Sequence, residues 1–330
     1  MYHGRLDYYT SLGLRELKKR INDAGIPSSK LDETINLATW NIREFGKKRR
    51  RKASIHFIAE ILGQFDLIAV TELRDNLTEL KKVLEILGPY WDVVFSDYAM
   101  DRGGNKERIA FIFDKRAVVF TGLAAEADPP RKKDRRTNEY VPSITWWRPP
   151  FMASFSAGNF DFVLLAVHIR WGKKLSERKG ALAELSKWVE KKRKDRHGVD
   201  KDIIVVGDFN IPDLDDDLFN AMTKHKLKIP DSLRNQKFGS NLAKDKRYDQ
   251  IFYYPSHTKS FTNHGGVLDF YQKNIDKLYP EKTPTKREFT YELSDHLPLW
   301  VQLDVDVSDE RLEQIIERHE LRRAKRANET

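Results

Sequence analysis

The 330-residue sequence contains no cysteine. Disulfides, zinc–thiolate sites and thiol nucleophiles are therefore excluded together. The longest apolar runs, such as Phe162–Val167, are far too short to cross a bilayer. No apolar stretch follows Met1-Tyr2-His3-Gly4-Arg5, so no secretory signal is read, and a cytoplasmic location is expected. Acidic residues are the minority: 50 Asp and Glu face 59 Lys and Arg, a net charge of +9. Such a surplus attracts polyanions, nucleic acid first and an anionic membrane second, although it also serves plain solubility. What is present suffices for a core. The chain is 40% hydrophobic and 11% aromatic, which excludes global disorder. Its length suits two average domains, or one large α/β domain with terminal additions.

Apolar spacing divides the chain into three parts: a helical extension at 1–34, a main domain at 35–306 and a basic C-terminal helix at 307–330. In the first, Leu14, Leu17 and Ile21 recur at helical spacing and Gly25-Ile26-Pro27 ends the pattern, which predicts a helix packed on the main domain. Strands are predicted at 35–40, 66–71, 91–95, 109–113, 117–120, 143–147, 151–156, 162–169, 203–206, 248–254 and 299–305. Helices are expected near 54–62, 76–87, 177–194, 215–226 and 308–326. A basic run at 47–52 leads into the helix near 54–62, and the basic segment 124–140 is read as an exposed loop. Strands mixed with helices imply α/β layering, and the mixture of hairpin and crossover spacings argues against a plain doubly wound parallel sheet.

Polar residues cluster where these strands end. Gly207-Asp208-Phe209-Asn210 follows the apolar strand Ile203–Val206, and a buried strand end is a rigid mount for a carboxylate and a carboxamide. Ser294-Asp295-His296 precedes the closing strand; His168, Glu72 and Asn41 each follow a strand. Singly, each is as readily an Asx turn, a core histidine or a solvated side chain. Together, Asn41, Glu72, His168, Asp208, Asn210, Asp249, Asp295 and His296 form a cup of oxygen donors with two imidazoles, if the strand ends converge. Oxygen donors without thiolates suit Mg²⁺ or Mn²⁺ better than zinc. In a basic protein, such a cup has what phosphodiester hydrolysis needs: cationic charge, a base for water and donors for the developing oxyanion.

Seven segments, in order, carry a family resemblance. They are Trp40-Asn41-Ile42, Thr71-Glu72-Leu73-Arg74-Asp75, Lys106-Glu107-Arg108, Val167-His168, Gly207-Asp208-Phe209-Asn210, Tyr248-Asp249-Gln250-Ile251 and Ser294-Asp295-His296. The set resembles the endonuclease/exonuclease/phosphatase superfamily, and within it the deoxyribonuclease I group, over roughly residues 35–306. The resemblance implies an α/β fold: a four-layer α/β/β/α sandwich of two packed mixed sheets flanked by helices. It implies Glu72, Asn41 and Asp295 as metal ligands, with Asp208 and Asn210 at the metal, phosphate or nucleophile side. It implies His296, oriented by Asp249, as the base for water, and His168, paired with Glu107, as a donor to phosphate or the leaving oxygen. Activity is then expected to fall where His296 is protonated. Arg74, Arg148 and Asn210 are the implied substrate contacts, an arginine fork being suited to phosphate. Asn105 stands where the group has a groove-stacking tyrosine, and the group's disulfides are absent.

The expected activity is a Mg²⁺-dependent DNA endonuclease of low sequence specificity. It uses metal-activated water and leaves 5′-phosphate and 3′-hydroxyl ends. Mn²⁺ is expected to substitute, and Ca²⁺ to serve structurally. Double-stranded DNA is the expected partner, with no obligate protein partner evident. The alternatives are an abasic-site repair endonuclease and a phosphatase or phosphodiesterase acting on inositol phosphates or phospholipids. Tyr248-Asp249-Gln250 departs from the Cys-Asp-Arg segment typical of inositol phosphatases. A non-catalytic binding module is disfavoured, since every expected position holds the expected residue type.

Overall fold

Period-two alternation sorts strand side chains onto two faces, and both are apolar wherever a sheet is covered on both sides. The computed structural model describes residues 1–98, 105–144, 146–172, 174–236, 239–255 and 260–327. Its first half runs α1 (Tyr8–Asp23), β1 (Thr34–Phe45), α2 (Lys52–Leu62), β2 (Leu67–Leu73), α3 (Thr78–Leu87), β3 (Trp91–Phe95), β4 (Arg108–Asp114), β5 (Val119–Glu126), β6 (Arg131–Lys133) and β7 (Tyr140–Pro142). The second half runs β8 (Phe151–Ala157), β9 (Phe160–His168), α4 (Leu175–Lys194), β10 (Ile203–Asp208), α5 (Asp217–Thr223), α6 (Asp231–Arg234), β11 (Asp249–Phe252), β12 (Phe261–Val267), α7 (Ile275–Leu278), α8 (Lys286–Glu292), β13 (Leu299–Asp304) and α9 (Ser308–Ala327).

One sheet has the strand order β12-β13-β1-β2-β4-β3 and the other β11-β10-β9-β8-β5. Both are mixed: β1 lies parallel to β2 and β9 parallel to β10, while the other neighbours are antiparallel. Alternation assigns the faces of the second sheet. Phe162, Leu164, Ala166, Ile204 and Val206 join the core shared with the first sheet. Val163, Leu165, Val167, Ile203 and Val205 lie in a second core with Leu182, Leu185 and Val189 of α4 and Leu218 and Met222 of α5. Between the sheets, Phe111 of β4 stacks on Phe151 of β8 at 5.3 Å, and Phe113 meets Phe155 edge-on at 5.5 Å. The four-layer α/β/β/α sandwich is thus present.

The helix expected near the N-terminus is α1, capped by Asp7, whose side chain accepts from the Thr10 N–H. It packs on α2 and α7. Its Arg20 is fully buried and donates to the carbonyls of Phe270, Tyr271 and Asn274 at 2.7–2.9 Å. A buried guanidinium needs this many acceptors to offset its desolvation.

Three expectations need correction. The segment 143–147 forms bends and coil at its described residues rather than a strand, and residue 145 lies outside the described residues. Its Ile144, Trp146 and Trp147 line a cavity instead of a sheet. The basic stretch 124–140 is not all loop. Its start completes β5, and β6 pairs with β7 in an exposed hairpin closed by Asn138 at φ +62°. Strand β12 was not anticipated, because His264, Gly265 and Gly266 interrupt any apolar pattern.

The N-terminal segment adds a titrating cluster against α2. His3 Nδ1 is 3.1 Å from His56 Nδ1, and His3 Nε2 is 2.8 Å from Glu60. Burial, then the neighbouring His3 and Lys52, push His56 down to about 4 from 6.5. As pH falls, the unfolded chain therefore takes up this proton first. Stability is complete above pH 6.5 and is lost between about 6.5 and about 4. Urea denaturation across this range should show a loss on the order of 1–2 kcal/mol after solvent screening. A His56→Gln variant should lack that part of the slope; an unchanged slope would exclude His56 as its source.

Candidate active site

The two parallel strand pairs decide where the polar residues meet. The carboxyl ends of β1, β2, β9 and β10 lie on one edge of the sandwich. Antiparallel pairing brings the start of β11 and the approach to β13 to the same edge. Register is explicit: Asp208 pairs with His168 on one side and Asp249 on the other, and Asn41 pairs with Thr71 beside Glu72.

Backbone conformation turns two side chains into the space between the sheets. Glu72 and Asn210 have φ of +62° and +53°, unusual for residues with a Cβ. Asn41 Nδ2 donates to Glu72 Oε1 at 3.0 Å and to Asp208 Oδ2 at 3.2 Å. The Glu44 N–H donates to Glu72 Oε2 at 2.9 Å. Asn210 lends its N–H to Asp208 Oδ1 at 2.9 Å, and its side-chain amide donates to the Ile169 carbonyl at 2.7 Å. Asp295 meets Arg43 at 3.4 Å on the rim, its side chain 44% exposed.

Two imidazoles flank Asp208, each backed by a buried carboxylate. His296 Nδ1 is 2.7 Å from Asp249 Oδ2, and its Nε2 is 3.9 Å from Asp208 Oδ2. His168 Nδ1 is 2.9 Å from Glu107 Oε2, and its Nε2 is 3.6 Å from the same Asp208 oxygen. Asp249 is fixed in turn: the Ser240 hydroxyl donates to its Oδ2 at 2.6 Å, and its own N–H donates to Ser240 Oγ at 3.1 Å. The turn before β13 is tied to β1. Ser294 Oγ donates to the Asn41 carbonyl at 2.6 Å, and Trp40 Nε1 donates to the His296 carbonyl at 2.9 Å.

Glu107 is a counter-ion for several cations. Arg148 Nε lies 2.6 Å from it and Arg74 Nη1 3.4 Å, beside His168. The His168 Nδ1 and Arg148 Nε contacts have ion-pair distances without hydrogen-bond alignment. Burial favours the neutral acid, but the charges of His168 and Arg148 outweigh it and hold Glu107 at about 2. Burial and Arg148 oppose a charged His168, and Glu107 and Asp208 overcome them, raising it. Burial also opposes charge on His296, and Asp249 and Asp208 overcome it, raising it to about 10. Asp208 itself is raised, by burial foremost.

The donor set fits a hard divalent cation. Asn41 Oδ1 and Asp249 Oδ1 are buried acceptors without a hydrogen-bond partner. One ligand atom from each of Asp208, Asp249 and His296 lies within 4.8 Å of the others. Glu72, Asn41 and Asp208 are joined by direct hydrogen bonds. Oxygen dominates these donors, as Mg²⁺ or Mn²⁺ requires. A cavity of about 630 Å³ opens over the cluster, reaching Arg43, Arg74, Arg148, Arg170, Asn210 and Asp295.

Several contributors escape sequence inspection. Ser240 lies in a loop with no strand beside it to mark it. Arg178, on α4, donates to the Asn210 carbonyl at 2.7 Å and lies 4.1 Å from the Trp171 ring. Its signal was obscured by the many other basic residues of that helix. Arg43 stacks at 4.2 Å on Tyr291 and donates to Thr290 Oγ1 at 2.7 Å.

A four-layer sandwich with buried carboxylates and imidazoles under an arginine-rimmed cavity defines a hydrolase of phosphate esters. The chain belongs to the Endonuclease/Exonuclease/phosphatase family, whose profile matches residues 38–296. Members of that family hydrolyse phosphodiester or phosphate bonds and typically depend on divalent metals. No curated protein sequence matches the chain. Solved structures share the fold at low identity. D. rerio TDP2 complexed with a single-strand DNA product superposes with a TM-score of 0.55 at 14% identity, covering 82% of this chain and 98% of that one. The human Nocturnin catalytic domain gives 0.53 at 15%, covering 84% and 95%. The Bacteroides thetaiotaomicron mannosyl-6-phosphatase gives 0.51 at 19%, covering 82% and 99%. Among the described residues, no helix is long and apolar enough to cross a membrane.

Proposed function

We propose that this protein is a Mg²⁺-dependent DNA endonuclease of low sequence specificity that leaves 5′-phosphate and 3′-hydroxyl ends. One observation carries the reading: two imidazoles face one buried aspartate beneath a cavity rimmed by Arg43, Arg74, Arg148 and Arg170. A chain with a net charge of +9 and a rim of guanidinium forks suits a polyanionic substrate.

Asn41, Glu72 and Asp208 would hold the cation, with Asp249 and His296 adjoining. When bound, the cation supplies positive charge to the phosphate oxygens and to the charge that develops during attack. His296, with Nδ1 directed to Asp249, presents Nε2 to the reaction space and accepts the proton of the attacking water. That role needs a neutral ring, whereas Asp249 and Asp208 favour the imidazolium. Compensating their charge lowers the ring's proton affinity, so the base role and an occupied acidic cluster belong together. His168, kept charged by Glu107, donates from Nε2 to a phosphate oxygen or the leaving oxygen. Arg74 and Arg148 share Glu107, so part of their donor capacity remains for phosphate. Mn²⁺ should substitute for Mg²⁺.

Supercoiled plasmid should be nicked by the purified protein with Mg²⁺ or Mn²⁺, and nicking should stop with EDTA. If well-folded protein does not nick DNA but releases phosphate from inositol or sugar phosphates, the nuclease reading is wrong and the phosphatase reading replaces it.

A further inference from the structure

Beside the catalytic cavity lies a second one of about 610 Å³, and the two share Arg148, His168, Arg170 and Gly172. Its size falls within the roughly 300–1,000 Å³ typical of small-ligand sites. Its walls include Ile144, Trp146 and Trp147. Of the chain's seven tryptophans, the two exposed ones flank this junction: Trp147 is 40% and Trp171 53% exposed. Each indole is backed by a guanidinium, with Arg170 at 4.4 Å from the Trp147 centroid and Arg178 at 4.1 Å from that of Trp171. Trp171 also meets Tyr248 edge-on at 5.7 Å, and Tyr248 lies 5.9 Å from His296. An aromatic track therefore leads from the reaction centre to solvent. Large exposed indoles lose contact with apolar neighbours and expose apolar surface, so this concentration beside a catalytic centre calls for a ligand.

Charge along the second cavity is uneven. Arg148, His168 and Arg170 stand at the shared end, whereas the α4 side carries Glu177 and Glu184 around Arg178, whose guanidinium is held by the Asn210 carbonyl and the Trp171 ring. A phosphate suits the first end. The second offers carboxylate acceptors for ring N–H or amino groups, next to indole faces. That is the layout of one nucleotide: phosphate at the reaction centre, base in the side cavity.

We propose that this side cavity receives an unpaired nucleobase adjoining the scissile phosphate, with Trp147 of its wall and Trp171, which lines the catalytic cavity at the shared mouth, as the stacking surfaces. The inference rests on the nuclease reading and narrows its substrate. Within a duplex, both faces of a base are already stacked and its edge is paired, so it reaches the cavity only after unpairing. Single strands, overhangs and frayed or gapped sites meet no such cost. The structure thereby assigns the enzyme to unpaired nucleic acid in preference to intact duplex. Stacking is indifferent to base identity, in keeping with low sequence specificity.

The test compares a base with no base on the same backbone. Fluorescence anisotropy in EDTA, where no cleavage occurs, gives Kd for a labelled oligothymidylate and for an abasic strand of equal length. The wild-type protein should bind the base-bearing strand about 10-fold more tightly. Trp147→Ala and Trp171→Ala should each remove much of that ratio, and Trp147→Phe should restore most of it. Thermal denaturation checks that the variants are folded; both positions are exposed enough for this to be expected. Equal affinity for the two strands, or a ratio unchanged in both alanine variants, overturns the side cavity as a base site. If Mg²⁺-dependent nicking persists in that case, the nuclease reading stands without it. If no strand is bound or cut, both readings fall together.

Discussion

Asp208→Ala should lower phosphodiester hydrolysis by about 10³-fold or more while the protein stays folded, with unfolding stability unchanged or raised. Asp208 is 2% exposed and lies at 3.6 and 3.9 Å from two imidazole nitrogens. Burial raises its pKa, so its charged form is costly in the native state. A residue kept for packing would not carry such a cost; one kept for its charge would. Removing the carboxylate relieves that desolvation and the repulsion of Asp249, which offsets the two hydrogen bonds lost from the Asn210 N–H and Asn41 Nδ2. His296→Ala should also abolish most turnover, by roughly 10²–10⁴-fold, since a positioned base accounts for about that much. Its stability effect should differ, because Asp249 then loses its partner at 2.7 Å and keeps only Ser240. The two variants thus give the same activity readout and opposite stability readouts in urea denaturation. Retained plasmid nicking in either variant would overturn the assigned roles. An Asp208→Ala protein that unfolds would show the aspartate to be structural.

The fold was legible because its strands are apolar on both faces. Phe162–Val167 and Ile203–Val206 can only be buried, and each becomes a central strand with one face on each core. Elements failed where the pattern carried no burial signal. The β6–β7 hairpin is exposed on both faces, and β12 contains adjacent glycines. The segment 143–147 is rich in residues of high strand propensity, yet its adjacent Trp146 and Trp147 line a cavity wall. The catalytic residues were legible because they stand at strand ends: Asn41, Glu72, His168 and Asp208 close behind apolar runs, Asp249 and His296 just ahead of them. Their partners were not. Ser240 fixes Asp249 from the irregular loop ahead of β11, and Arg178 reaches the Asn210 carbonyl from a helix. Both contacts are made by tertiary packing, which no local period encodes. The stacking surfaces also stayed hidden, since exposure distinguishes Trp147 and Trp171 from buried Trp40 while their letters do not.

Gly207→Ala should be strongly destabilising, costing about 4 kcal/mol or more. Gly207 has φ of +129°, a conformation hostile to any Cβ. A Cβ built there would stand 2.0 Å from the Val167 carbonyl oxygen and 2.9 Å from the Val167 nitrogen. Those atoms belong to the neighbouring strand β9, which pairs with β10 through this register and carries His168 one residue further on. The overlap cannot be relieved by a side chain moving aside; backbone must separate. Separation pulls Asp208 away from His168, so activity should fall along with stability. Gly122→Ala provides the control. Gly122 also has a positive φ, +109°, but a Cβ there meets nothing within 4 Å. Its cost should be confined to backbone strain, on the order of 1–2 kcal/mol. Urea midpoints for the two variants separate crowding from conformation. If Gly207→Ala costs no more than Gly122→Ala, then β9 and β10 do not approach as closely as drawn, and the placement of Asp208 against His168 fails with them.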